Sequence, residues 1–200
     1  MSRSPMSAAF ERTLAFHCAP SLSGAKPADL VSWPEGRERT ARRLARLAGE
    51  LEGTPVRLRL LGTRGGRSLI LVYRRALLAR QLSEPRTRAL LLRRGYPADR
   101  GPEAMLDCLS GRLGQPGEFP HEIGLFLGYP PGDVEGFCRC RGRECLFAGW
   151  WKVYSDPEGA RRRFEQYRRC RQALYPPVCG GLPLAQCVRQ AAGLPAGRPG

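Results

Sequence analysis

The chain has 200 residues, 33 basic against 18 acidic side chains and a formal net charge of +15. That length suits one domain with a real core, and no apolar run approaches the roughly 20 residues of a membrane span. The charge points to an anionic partner such as nucleic acid. However, the arginines are scattered through apparent helices, as at Arg161, Arg162 and Arg163, and acids outnumber bases between His121 and Ala160, so nucleic-acid binding is disfavoured.

In chain order, residues 6–17 read as an amphipathic helix, with Phe10, Leu14 and His17 at helical spacing and Pro20 as its stop. Lys26 to Leu30 reads as the opening of a short helical turn, with Pro27 near its first position. Arg37 to Leu51 predicts a helix with Ala41, Leu44, Ala48 and Leu51 on its apolar side. Val56 to Leu60 alternates and Ser68 to Tyr73 is a continuous apolar run, so the two predict a β-hairpin around a turn at 62–66. Helices follow at 75–82, 86–94 and 102–113.

His121 to Leu127 reads as a short helix stopped by Gly128-Tyr129-Pro130, and Asp133 as the N-cap of the next helix. Cys145 to Tyr154 predicts a strand with Trp150, Lys152 and Tyr154 on one face. Asp156-Pro157 opens a last long helix. The expected fold is α+β: one domain over residues 1–175, with an antiparallel sheet of about three strands packed on helices. The Pro/Gly-rich residues 176–200 are expected as a poorly ordered tail, with at most a short helix at Leu184–Ala192.

Composition isolates a few residues. Lys26 and Lys152 are the only lysines, His17 and His121 the only histidines, and asparagine is absent. GC-rich coding explains the bias, since it replaces Lys by Arg wherever a surface charge suffices. The two lysines that remain are candidates for a geometric role, because a planar guanidinium does not replace a point-like ammonium; chance survival is the alternative. Glu11 and Arg12 fall where a leader would need apolar residues, so no signal peptide is expected. A cytoplasmic location follows, with the eight cysteines reduced.

His17, Cys18 and His121 combine imidazole with a thiol, each within three positions of a proline, and Glu122 can add a carboxylate. That set suits a transition metal or haem, or a nucleophile with its base. Lys26, Tyr129, Lys152 and Tyr154 are candidates for contacts to a cofactor, within an aromatic group that also includes Phe126, Trp150 and Trp151. Such a group serves equally as core or as a surface for a protein partner. Cys138, Cys140 and Cys145 resemble half of a thiolate site but lack paired Cys-x2-Cys knuckles. No P-loop, nucleophile elbow or dinucleotide fingerprint is present. The expected function is a metal- or redox-cofactor-binding module; a partner-docking protein and an unidentified enzyme are the alternatives.

His17-Cys18-Ala19-Pro20, Lys26-Pro27-Ala28, Pro120-His121-Glu122-Ile123-Gly124, Leu127-Gly128-Tyr129-Pro130, Asp133-Val134-Glu135-Gly136-Phe137 and Trp151-Lys152-Val153-Tyr154 follow one another along the chain. In these motifs the chain resembles a bacterial family of unknown function, serially labelled thirty-seven ninety-three, over about residues 10–172. The resemblance implies a small intracellular protein and no assigned activity. Cys138, Cys140 and Cys145 depart from the family pattern.

Overall fold

The structure, a computed structural model, describes residues 5–115 and 117–192. Its middle layer is an antiparallel sheet. Strands β2 (Val56–Arg64) and β3 (Arg67–Arg74) form the expected hairpin. They meet at Gly65-Gly66, whose φ angles of 55° and 73° are what a two-residue hairpin turn requires. The strands run further into the 62–66 segment than the alternation suggests. A bulge between Leu60 and Gly62 absorbs one residue and lets pairing continue to Arg64↔Arg67.

The third strand is not the one expected. β1 (Ala28–Trp33) pairs with β3 from Ala28↔Tyr73 to Trp33↔Ser68, giving the order β1-β3-β2. The helical turn expected at Lys26–Leu30 is therefore corrected to the entry into an edge strand. Pro27 suits either position, and burial decides: Val31 and Trp33 enter one core while Ala28 and Leu30 enter the other. Cys145 to Tyr154 forms only a small separate ribbon, β4 (Phe147–Ala148) with β5 (Lys152–Val153).

Helices cover both faces of the three-stranded sheet. Ile70 and Val72 of β3 share one core with Val31, Trp33 and Val56, while Leu69, Leu71 and Tyr73 share a second core with Ala28 and Leu61. Double coverage explains why Ser68–Tyr73 reads as a continuous apolar run. The first core is closed by α1 (Pro5–His17), α2 (Ala19–Ser23) and α3 (Arg37–Glu50). Pro20 does not merely stop α1; it lies in the first turn of α2. On α3 the buried side is Thr40, Leu44 and Leu47, with Leu51 just beyond, and Ala41 and Ala48 are exposed. The leucines take the core because alanine has little apolar area to bury.

The second core lies under α4 (Arg75–Ser83), α5 (Pro85–Arg93), α6 (Gly101–Gly114), α7 (Ile123–Phe126) and α8 (Pro131–Arg139). Glu84 separates α4 from α5 and accepts the Arg86 and Thr87 amides at 3.1 and 2.6 Å, capping α5.

α9 (Pro157–Cys179) starts as expected, with the Asp156 carboxylate accepting the Gly159 amide at 2.9 Å. It then passes the expected boundary at 175/176 and leads to α10 (Leu184–Ala192). The short helix allowed for at Leu184–Ala192 is present as α10, and the expectation of a poorly ordered tail is corrected for the rest of residues 176–192. Leu184 and Val188 are fully buried in the first core, and the Leu184 amide donates to Glu11 Oε2 at 2.9 Å. Pro and Gly content marked the connection between α9 and α10, and the core contacts hold α10 in place beyond it. Residues 193–200, the rest of that expectation, lie outside the described residues. Among the described residues no helix is long and apolar enough to cross a membrane.

Candidate functional site

The motif segments meet where β1, α7–α8 and the β4–β5 ribbon converge on α9. Lys26, just before β1, has a 2 % exposed side chain, and its Nζ donates to Asp29 Oδ1 at 2.5 Å. Asp29 Oδ2 accepts the Ser21 amide at 3.0 Å. The ammonium also lies 5.0 Å from the Tyr129 ring centre and 5.8 Å from that of Tyr167. Burial works against its charge, but the Asp29 carboxylate outweighs that penalty and the pKa is pushed up to about 12. Lys26 is therefore a fixed cation and not an amine nucleophile.

Tyr129 is positioned by its preceding glycine. Gly128 has φ 77°, and a Cβ there would sit 2.6 Å from Pro27 Cγ and Cδ. Only glycine permits that turn and that approach, so the Lys-Pro-Ala and Leu-Gly-Tyr-Pro segments are packed surface to surface. The Tyr129 hydroxyl donates to the Trp150 carbonyl at 3.3 Å, and its ring stacks on Trp151 with centres 5.0 Å apart.

Asp133 does not cap α8, which starts at Pro131. The carboxylate is buried and holds the ribbon instead. Oδ2 accepts the Trp151 indole N–H at 2.7 Å, and Oδ1 accepts the Tyr154 amide at 2.8 Å, the Ser155 amide at 2.8 Å and the Ser155 hydroxyl at 2.7 Å. A capping residue is recognisable from sequence, whereas a carboxylate serving a distant strand is not. Trp151 and Val153 then pack on Ala160, Phe164 and Tyr167 of α9 as a third, smaller core.

Beside this core runs a two-chambered cleft. One chamber, of about 420 Å³, is mainly apolar and is lined by Phe119, His121, Val134, Phe137, Trp151 and Lys152 among others. The other, of about 470 Å³, is lined by His17, Lys26, Asp29, Trp150, Arg168 and Arg171 among others. Leu30, Leu127, Tyr129 and Gly149 line both, so the two chambers adjoin around Tyr129. In the polar chamber the Arg171 guanidinium lies 4.0 Å from the Phe16 ring centre and 4.4 Å from that of Trp150, and its Nε donates to the Phe16 carbonyl at 2.8 Å. Partial burial, then Arg171, hold His17 below the ordinary histidine range, so it is neutral at pH 7.

The eight residues singled out from the sequence divide accordingly. Lys26, Tyr129, His17, His121 and Lys152 line the cleft. Lys152 is exposed, and its ammonium donates to the Gly142 carbonyl at 2.6 Å. Tyr154 does not line either chamber; it packs over Gly136 of α8, where a Cβ would approach its ring to 2.6 Å. Cys18 is fully buried in the first core, and burial, aided by Asp29, holds its thiol protonated. Glu122 turns away and accepts from the Tyr96 hydroxyl at 3.0 Å and from Arg112 at 2.9 Å.

The expected ligand set of His17, Cys18, His121 and Glu122 is thus not brought together. Among the described residues no group of three or more His, Cys, Asp or Glu side chains is placed to hold a metal ion, Cys138, Cys140 and Cys145 included. The adjacency of His17 and Cys18 in sequence misleads because the chain bends at Cys18 between α1 and α2, which sends the thiol into the first core and leaves His17 at the polar chamber. Sequence reasoning also missed Asp29, Asp133, Tyr167 and Arg171. Asp29 follows a rare lysine by three positions and Asp133 lies in a motif, so both carried a signal; Arg171 is one arginine among many and carried none.

The family model described as "Protein of unknown function (DUF3793)" matches residues 14–188. The chain belongs to this family. The match reaches into α10, so the DUF3793 region includes the helix that completes the first core. Comparison with curated proteins and with solved structures returned no match.

Proposed function

We propose that this DUF3793 protein is a small-molecule binding module whose site is the cleft at Tyr129. One observation carries the reading: motif segments as far apart in the chain as Lys26 and Lys152 build the walls of two adjoining chambers, one charged and one apolar. Ligand sites have this form, a mostly apolar enclosure with a few convergent polar groups. The two chambers, at about 420 and 470 Å³, lie in the size range of organic ligands. The cofactor reading thereby keeps Lys26, Tyr129 and Lys152 as candidate contacts, and His17 and His121 enter as wall residues and not as metal ligands. The eight cysteines, all free thiols, support a reducing, cytoplasmic compartment.

Nile red, a neutral planar dye, tests the reading. It is expected to bind saturably at one site with a blue-shifted emission. Ala148→Trp, an exposed position at the apolar chamber, should fill that chamber and abolish binding while leaving the melting temperature unchanged. Absence of saturable binding, or equal binding by the folded Ala148→Trp variant, overturns it.

A further inference from the structure

We infer that the cleft selects an aromatic carboxylate, with its ring in the apolar chamber and its carboxylate on Arg171. The inference rests on the binding reading above and adds the ligand's chemistry.

The argument is one of charge and geometry. Three cationic side chains face the polar chamber. Lys26 is matched by Asp29 in a buried pair, and Arg168 pairs with Glu165 on the exposed side of α9. Arg171 has no carboxylate partner among the described residues; only its Nε is used, on the Phe16 carbonyl. His17 adds no charge at neutral pH and can still donate one ring N–H. The chamber therefore carries one uncompensated positive charge. A carboxylate balances it, whereas a phosphate monoester with about 1.5 to 2 negative charges leaves an excess of negative charge in a half-enclosed site.

Shape agrees with charge. The Arg171 guanidinium is held between the Phe16 and Trp150 rings, which fixes its plane before any ligand arrives. A planar, immobilised guanidinium matches a carboxylate with two parallel hydrogen bonds. On the other side of Tyr129 the walls are rings: Phe137 lies 4.8 Å from His121, and Trp151 stacks on Tyr129. Flat faces of this kind favour a flat body of the ligand. The chambers adjoin at Tyr129, so one molecule that reaches past its ring meets both requirements.

Isothermal titration with three probes that share one ring system decides the matter: 2-naphthoate, 2-naphthylmethanol and 2-naphthyl phosphate. The wild-type chain should bind 2-naphthoate about tenfold tighter than the alcohol, as expected for a charge-assisted contact, and tighter than the phosphate. Arg171→Lys keeps the charge and removes the fork, so the preference over the alcohol should fall to about threefold or less. Arg171→Met should abolish it, the affinity of the same variant for the alcohol being the reference. Melting curves of both variants verify folding, and the alcohol serves as an internal control for an intact cleft.

Equal affinity for carboxylate and alcohol, or tighter binding of the phosphate, overturns the inference while leaving the binding reading in place. A carboxylate preference that persists in folded Arg171→Met overturns the assignment to Arg171. If no probe binds and Nile red does not bind, both readings fail together.

Discussion

Asp133→Ala is the most informative single change, because the carboxylate ties the cleft wall to α8. It accepts four hydrogen bonds between 2.7 and 2.8 Å. Ser155 is exposed, so its amide and hydroxyl can turn to water. The Trp151 indole and the half-buried Tyr154 amide cannot do so freely, and each buried donor left unmade costs about 1–3 kcal/mol. Asp133→Ala should therefore destabilise the chain by about 2–5 kcal/mol, a large share of the roughly 5–15 kcal/mol typical of a domain.

Asp133→Asn sharpens the test. Its oxygen can keep the three bonds at the Oδ1 position, but its NH2 then faces the Trp151 N–H, donor against donor. A loss of about 1–3 kcal/mol is expected, and it should largely vanish when Trp151→Phe removes the opposing donor. Urea unfolding followed by far-ultraviolet circular dichroism measures all four members of this cycle without relying on the tryptophan that is changed. A loss below about 1 kcal/mol for Asp133→Ala, or an Asp133→Asn penalty unchanged in the Trp151→Phe background, would refute the account of Asp133 as the tie.

Lys26→Met should lower stability at pH 7 by about 3–5 kcal/mol, because it leaves Asp29 buried without its cation. Lys26 holds its proton more tightly in the folded chain, so its contribution is complete below about pH 10 and is lost as the pH rises through the folded value of about 12. Unfolding midpoints across that range should fall more steeply for the wild type than for Lys26→Met, and parallel curves would contradict the sign. Truncation after Gly180 removes the fully buried Leu184 and Val188. At about 1.5–3 kcal/mol each, the melting temperature should drop by about 10 °C; a drop under about 3 °C would show that α10 contributes little.

Much of the fold was legible in local pattern. The helical periods read at 37–51, 75–82, 86–94 and 102–113, the β2–β3 hairpin and the Asp156-Pro157 start of α9 depend on neighbours a few positions apart, and the structure has a helix or hairpin at each, within a residue or two at the helix ends. Lys26 and Tyr129 were also visible, the one by scarcity and the other by its Gly-Tyr-Pro setting. Segments whose state depends on distant partners were misread. Ala28–Leu30 enters a strand because β3 offers an open edge, and α10 is held against the core because α1, α2 and α9 leave apolar surface for it to cover.

By itself, the sequence determined the α+β class and the family, since these follow from periodicity, turn residues and motif order. Only the tertiary structure decided which side chains meet at the candidate site. It sent the Cys18 thiol into the core, committed Glu122 to Tyr96 and Arg112, and brought Arg171 from α9 to face His17 and Lys26 across the polar chamber. Side-chain direction and long-range pairing set those outcomes, and neither is encoded in the spacing of residues along the chain.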